Sequence, residues 1–261
     1  MTYHLGARYT RPHPAVRLLT ARARLDLMTP RPCDWWAKIP VAGLMLGNDQ
    51  YGDCWPIARR WCIAARRANA AGDDTVPTLA QVLGDYATLT GFDPATGLPD
   101  DGTDTDAGMN AWCSAGVRIG DQVLDIVHRT LVDPTNDAHV DIAINCAGPV
   151  MGTWRLPQAM MDPANWSRAP GTDADWATIA GEHETALGAT DGDGMVTART
   201  WGMDLLVHPE VRRRFLIDCD VPLDLSAGGW LQTTGLTPAG LDVAALANDV
   251  REVAALAGMV A

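Results

Sequence analysis

The chain has 261 residues, 47% of them hydrophobic and 20% charged, the usage of a folded domain with room for a core, which excludes a disordered tail, a collagen-like chain or a disulfide scaffold. Its net charge of −12 argues against nucleic-acid binding by the body, no apolar run approaches the roughly 20 residues of a membrane span, and the first residues lack the apolar core of a signal peptide. The charge is uneven: residues 1–38 carry seven basic and two acidic side chains, net +5, which leaves −17 for the remainder.

Residues 1–40 contain Pro12, Pro14, Pro30, Pro32 and Pro40, and proline fixes φ and removes a backbone donor, so an extended basic arm that wraps an acidic partner is expected here. From Cys54 to Ala71 the pattern is helical. Cys54, Ile57, Trp61, Ala64, Ala65 and Ala68 share one stripe at 100° per residue, Arg59, Arg60, Arg66 and Arg67 lie opposite, and Pro56 sits in the first turn. Further helices are expected at Thr78–Thr90, Asp106–Ala115 and Asn136–Cys146, separated by Gly, Pro and Asp clusters. Strands follow at Pro149–Pro157, His183–Thr190 and Met195–Trp201, the last two joined by the hairpin signal Asp191-Gly192-Asp193-Gly194. Pro209–Ile217 reads as a short helix, and Thr237–Gly258 as a terminal helix with Thr237 as N-cap and Pro238 at its first position. Asp100, Asp101, Asp104 and Asp106 have the composition of a calcium loop but neither its register nor its distal Glu, so they read as a solvated loop.

Six cysteines without a Cys-x-x-Cys pair or zinc-site spacing read as free thiols, and neither a metal nor another cofactor is expected. Cys54 is the informative one. It ends the polar loop Gly47-Asn48-Asp49-Gln50-Tyr51-Gly52-Asp53 and opens the first helix, where unpaired N–H groups favour a thiolate. Asp49, Asp53 and any burial oppose that form. His183 lies about 130 residues downstream on an expected strand, the separation of a spatially assembled Cys/His pair in which imidazole takes and returns the thiol proton.

This loop resembles the nucleophile turn of papain-like cysteine peptidases, with Asn48 at the amide position, Gly52 at the glycine, Cys54 at the nucleophile and Trp55 at the tryptophan. The resemblance runs on through Ala147-Gly148-Pro149-Val150, Gly181-Glu182-His183-Glu184 and Arg199-Thr200-Trp201-Gly202, about residues 40–225 in all. It implies an α+β, two-lobe fold: a helical first lobe with Cys54, an antiparallel strand-rich second lobe with His183, and a cleft between them. It further implies a thiol hydrolase of peptide or amide bonds in which Asn48 supplies an oxyanion donor. Arg199 departs from the pattern, standing where the family has an Asn that accepts from the histidine, and a guanidinium accepts nothing. Glu182 or Glu184 could take over, although strand alternation points them away from His183, and the same alternation argues against Thr200.

The expected organisation is therefore an arm over 1–40, a papain-like domain over 41–230 and a helical extension over 231–261. The loop looks most like papain-related proteins of bacteriophages and prophages. That likeness implies a location in the host cytoplasm or virion and an alternative function: a catalytically silent capsid-associated protein, docked to other phage structural proteins or to itself through the basic arm.

Overall fold

The computed structural model describes residues 3–10, 29–41, 43–124 and 126–224. Half of the expected arm, the terminal helix Thr237–Gly258 and the 231–261 extension lie outside these residues.

Helix α1 (Cys54–Ala71) forms where the 3.6-residue period places it and stops at Gly72, whose φ of 70° a side chain would resist. It is the axis of the first lobe. Helices α2 (Leu79–Thr90) and α3 (Thr105–Ala115) pack around it, and each starts at a residue whose side chain accepts a first-turn N–H: Thr78 in a reciprocal box with Gln81, and Asp104 from Ala107. Helix α4 (Asp137–Ala147), capped by Asn136, leads into the second lobe.

The second lobe is one antiparallel sheet in the order β10 (Met203–Val207), β9 (Val196–Thr200), β8 (Ile179–Thr190), β7 (Val150–Pro157), β11 (Leu216–Asp224), β6 (Ile126–Leu131). The short strand β2 (Cys33–Asp34) pairs with the end of β8. Two further short pairs complete the strands among the described residues: β1 (Ala7–Arg8) runs parallel to β3 (Thr103–Asp104), and β4 (Val117–Ile119) pairs with β5 (Gln122–Leu124). Two 3-10 turns and the short helix α5 (Ala174–Ala177) connect β7 to β8, and α6 (Pro209–Phe215) connects β10 to β11.

The sheet separates two cores. Trp55, Trp61, Met109, Trp112, Met151 and Ala186 fill the space between α1 and one face, and Trp154, Trp166, Val140, Ile144, Leu187 and Val207 cover the other. Each buried tryptophan removes ~150–250 Å² from water, about 4–6 kcal/mol of transfer free energy at ~25 cal/mol/Å².

Three of the four arginines opposite the apolar stripe of α1 are buried, and Arg67 alone of the four stays partly exposed, paired with Asp73. Arg59 and Arg60 both bond the Asp85 carboxylate of α2 at 2.6–2.7 Å, and Arg66 donates to the Ala147 and Pro149 carbonyls where α4 hands over to β7. Covering α1 on every side demands partners for its cations, and an arginine fork supplies the reach. The described parts of residues 1–40 pack on the body: Trp36 and Ile39 are buried in the core beside α1, and residues 3–10 lie across the junction of the lobes.

Candidate active site

Cys54 is the first residue of α1, and its N-cap, Asp53, makes no capping bond because its carboxyl turns inward to Asn48. The sulfur meets β8: the Glu184 N–H donates to it at 3.4 Å, which sets the thiol one residue from His183. The His183 Nε2 lies 2.7 Å from the Thr200 Oγ1, while Nδ1 has no hydrogen-bond partner among the described residues. Trp201 stacks on the imidazole with ring centroids 4.8 Å apart and shields the His183–Thr200 bond from water.

Arg199 is not beside His183. It crosses to the α1 face, where its guanidinium lies between Trp36 and Trp61, 4.2 and 4.6 Å from their ring centroids, and bonds both Asp204 oxygens and the Ile39 carbonyl. Strand alternation accounts for the exchange. Ala198 and Thr200 share the face of β9 that carries the second core and His183, so Arg199 between them must face α1. The side chain that bonds the imidazole is therefore Thr200, which sequence reasoning set aside and whose hydroxyl can accept as well as donate. The strand also ends one residue before the sequence places its end. Trp201 and Gly202 form a two-residue turn with φ of 50° and 69°, and the positive φ at Trp201 swings its indole onto His183. Glu182 and Glu184 are engaged elsewhere: Glu182 accepts from the Tyr9 N–H at 2.6 Å, and Glu184 from the Thr153 hydroxyl at 2.7 Å.

Asn48 is brought to the site but is occupied. Its Nδ2 donates to the Asp53 Oδ1 at 3.1 Å, leaving the Asn48 Oδ1 and the Asp53 Oδ2 buried without partners among the described residues. Burial pushes the Asp53 carboxyl up to about 8, offset only in part by that bond. Burial likewise raises the Cys54 thiol to about 12, against the opposing pull of the Glu184 and Gly6 N–H groups, and lowers His183 to about 3. Of the opposing influences weighed from the sequence, burial prevails: desolvation outweighs the helix dipole in a site where Cys54, His183 and Asn48 are all within 1% of complete burial.

A scan with protein-family models finds no match, and a search of curated sequences finds none either. Solved structures do match. Xylellain, a cysteine protease from Xylella fastidiosa, superposes with a TM-score of 0.61 at 13% identity over 85% of this chain and 96% of its own. The proCathepsin B S9 of Trypanosoma congolense superposes at 0.59 with 11% identity over 85% of this chain and 87% of its own. The fold is papain-like. The thiol at the start of α1 and the β8 backbone beside His183 meet where residues 3–10 cross, bonded to Asn48, Thr103 and Glu182.

Proposed function

We propose that this chain is a thiol hydrolase of peptide or amide bonds, with Cys54 as nucleophile, His183 as proton carrier and Thr200 as the group that orients the imidazole. The observation that carries the reading is the polarity of His183: Nε2 is bound to Thr200, and Nδ1, which makes no hydrogen bond to the Cys54 sulfur while the cleft is filled, is the nitrogen left to take the thiol proton once the cleft opens. In the reaction His183 takes the Cys54 proton, the sulfur attacks the substrate carbonyl carbon, and the resulting imidazolium protonates the amine as the C–N bond breaks. A water then loses a proton to His183 and attacks the thioester, releasing the acid and regenerating the thiol. The unpaired N–H groups at the start of α1 face the developing oxyanion, and Asn48 joins them only on leaving Asp53.

With the cleft filled, both reacting groups are neutral at pH 7, so turnover requires that residues 3–10 leave and water return. The test is hydrolysis of a quenched-fluorescent peptide library by protein whose Cys54 has become accessible, with Cys54→Ser as control. Cleavage by the first alone supports the reading; accessible Cys54 with no cleavage refutes it. The sealed, neutral site is also what the silent scaffold of a phage particle would present, and failure of that assay, together with particle assembly that depends on the basic arm, would favour that second reading.

A further inference from the structure

The segment across the cleft is bound as an extended peptide, with contacts to both lobes. The His4 N–H donates to the Asn48 carbonyl at 2.9 Å, and the Gly6 carbonyl accepts from the Thr103 N–H at 2.7 Å. Ala7 and Arg8 pair with Thr103 and Asp104, and the Tyr9 N–H reaches Glu182. Tyr3 stacks on Trp201 at 4.3 Å, Leu5 packs on Gly181, and the Gly6 N–H faces the Cys54 sulfur.

The narrowest point is Gly6, where three backbones meet with no side chain between them. A Cβ on Gly6 would stand 2.0 Å from the Gly52 carbonyl oxygen, a Cβ on Gly102 would stand 2.0 Å from the Gly6 carbonyl oxygen, and a Cβ on Gly52 would stand 3.1 Å from the Gly6 Cα. Backbone on both sides leaves nothing to swing away. Gly52 is tied in place by its N–H to Asp100 at 2.9 Å, and the same Asp100 oxygen accepts from the Tyr86 hydroxyl, which in turn accepts from the Gly102 N–H, so one network holds both walls. The two walls and the thiol belong to the body, so whatever peptide replaces the segment meets the same constriction.

We infer that the cleft is a glycine slot: its ligands are extended peptides with glycine between Gly52 and Gly102 and an aromatic residue three positions before it, and residues 3–10 are the copy carried by the chain itself. This rests on the hydrolase reading for the consequence that such peptides are substrates, but the slot itself is a matter of binding.

The experiment uses the full-length chain. In Gly6→Val the segment cannot seat, and the rate at which iodoacetamide modifies Cys54, read by peptide mass spectrometry against Cys33 and Cys113, should rise at least tenfold over the wild type. Adding the peptide Tyr-His-Leu-Gly-Ala-Arg-Tyr-Thr should restore protection, and the same peptide with alanine for its glycine should fail to do so at tenfold higher concentration. Equal protection by both peptides, protection by neither, or no rise in Cys54 reactivity overturns the slot. Should Gly6→Val not fold, Tyr3→Ala, which removes only the stack on Trp201, carries the same comparison. The two readings separate cleanly: selective protection by the glycine peptide, in protein that cleaves no library peptide once Cys54 is accessible, refutes the hydrolase and keeps the slot, whereas cleavage of peptides whatever residue stands at that position refutes the slot and keeps the hydrolase.

Discussion

Asp53→Asn removes a carboxyl while keeping its shape and its acceptor for the Asn48 amide. Asp53 is fully buried, its Oδ2 has no partner, and its carboxyl is raised to about 8 from an ordinary 3.8. The folded state therefore holds this proton over a range in which the unfolded chain has lost it. The stability linked to that proton is fully present below about pH 4, is lost by about 1.4 kcal/mol per pH unit as pH rises toward 8, and falls no further above it. The variant has no such slope. Relative to the wild type it should gain about 2.7 kcal/mol between pH 5 and pH 7, which at ~2–4 °C per kcal/mol for a chain of this size is a widening of about 5–10 °C in Tm difference. Thermal unfolding of both proteins from pH 4.5 to 9 measures it, and taking the difference cancels groups common to both, His183 included. A Tm difference that stays constant across that range would show that Asp53 is already ionised in the fold, and the argument from burial would fail.

Arg199→Asn should not raise activity. Asp204 is exposed and stays hydrated, but the change opens a gap between Trp36 and Trp61 and leaves the Ile39 carbonyl without its donor; truncating a buried side chain costs about 2–5 kcal/mol, to be read as a lower midpoint in urea. Thr200→Val leaves the His183 Nε2 buried without a partner; in protein whose cleft has been opened it should lower kcat about tenfold or more, equivalent to ~1.4 kcal/mol of barrier, and alter the pH profile, while Thr200→Ser restores both. An unchanged pH profile in Thr200→Val would remove Thr200 from the mechanism.

The parts of the fold that a local period can encode were legible. Helix α1, the Thr78 and Asn136 starts, and the hairpin at Asp191, whose carboxylate accepts the Asp193 and Met195 N–H groups, stand where helical periodicity, capping residues and an Asp-Gly pair place them. Strands β6, β10 and β11 were not legible. Leu223 of β11 pairs with β6 and Leu216 with β7, contacts across more than 60 residues that no local pattern reports. At the site, Cys54 and His183 were visible because helix start and strand are local features. Thr200 was missed because the family's Asn position set Arg199 on the face of His183, so that alternation turned its neighbour Thr200 away, whereas the strand carries the two the other way round. The burial that raises the thiol pKa comes in part from a segment some 50 residues upstream, and its fit depends on three glycines that meet only in three dimensions.

The bonds from Arg66 to the Ala147 and Pro149 carbonyls fasten the far end of α1 to the second lobe, and the Cys62 thiol adds a contact to the Val150 carbonyl one turn earlier. At the other end the Cys54 sulfur accepts from the Glu184 N–H of β8, and between the two fastenings Trp55, Ile57, Ala58 and Trp61 pack in one core with Met151 and Ala186 of the sheet. Twelve residues at 1.5 Å rise put Cys54 about 18 Å from the Arg66 bonds, so a tilt of only about 5° would displace the sulfur by about 1.5 Å, and it is the core between the two ends that resists it.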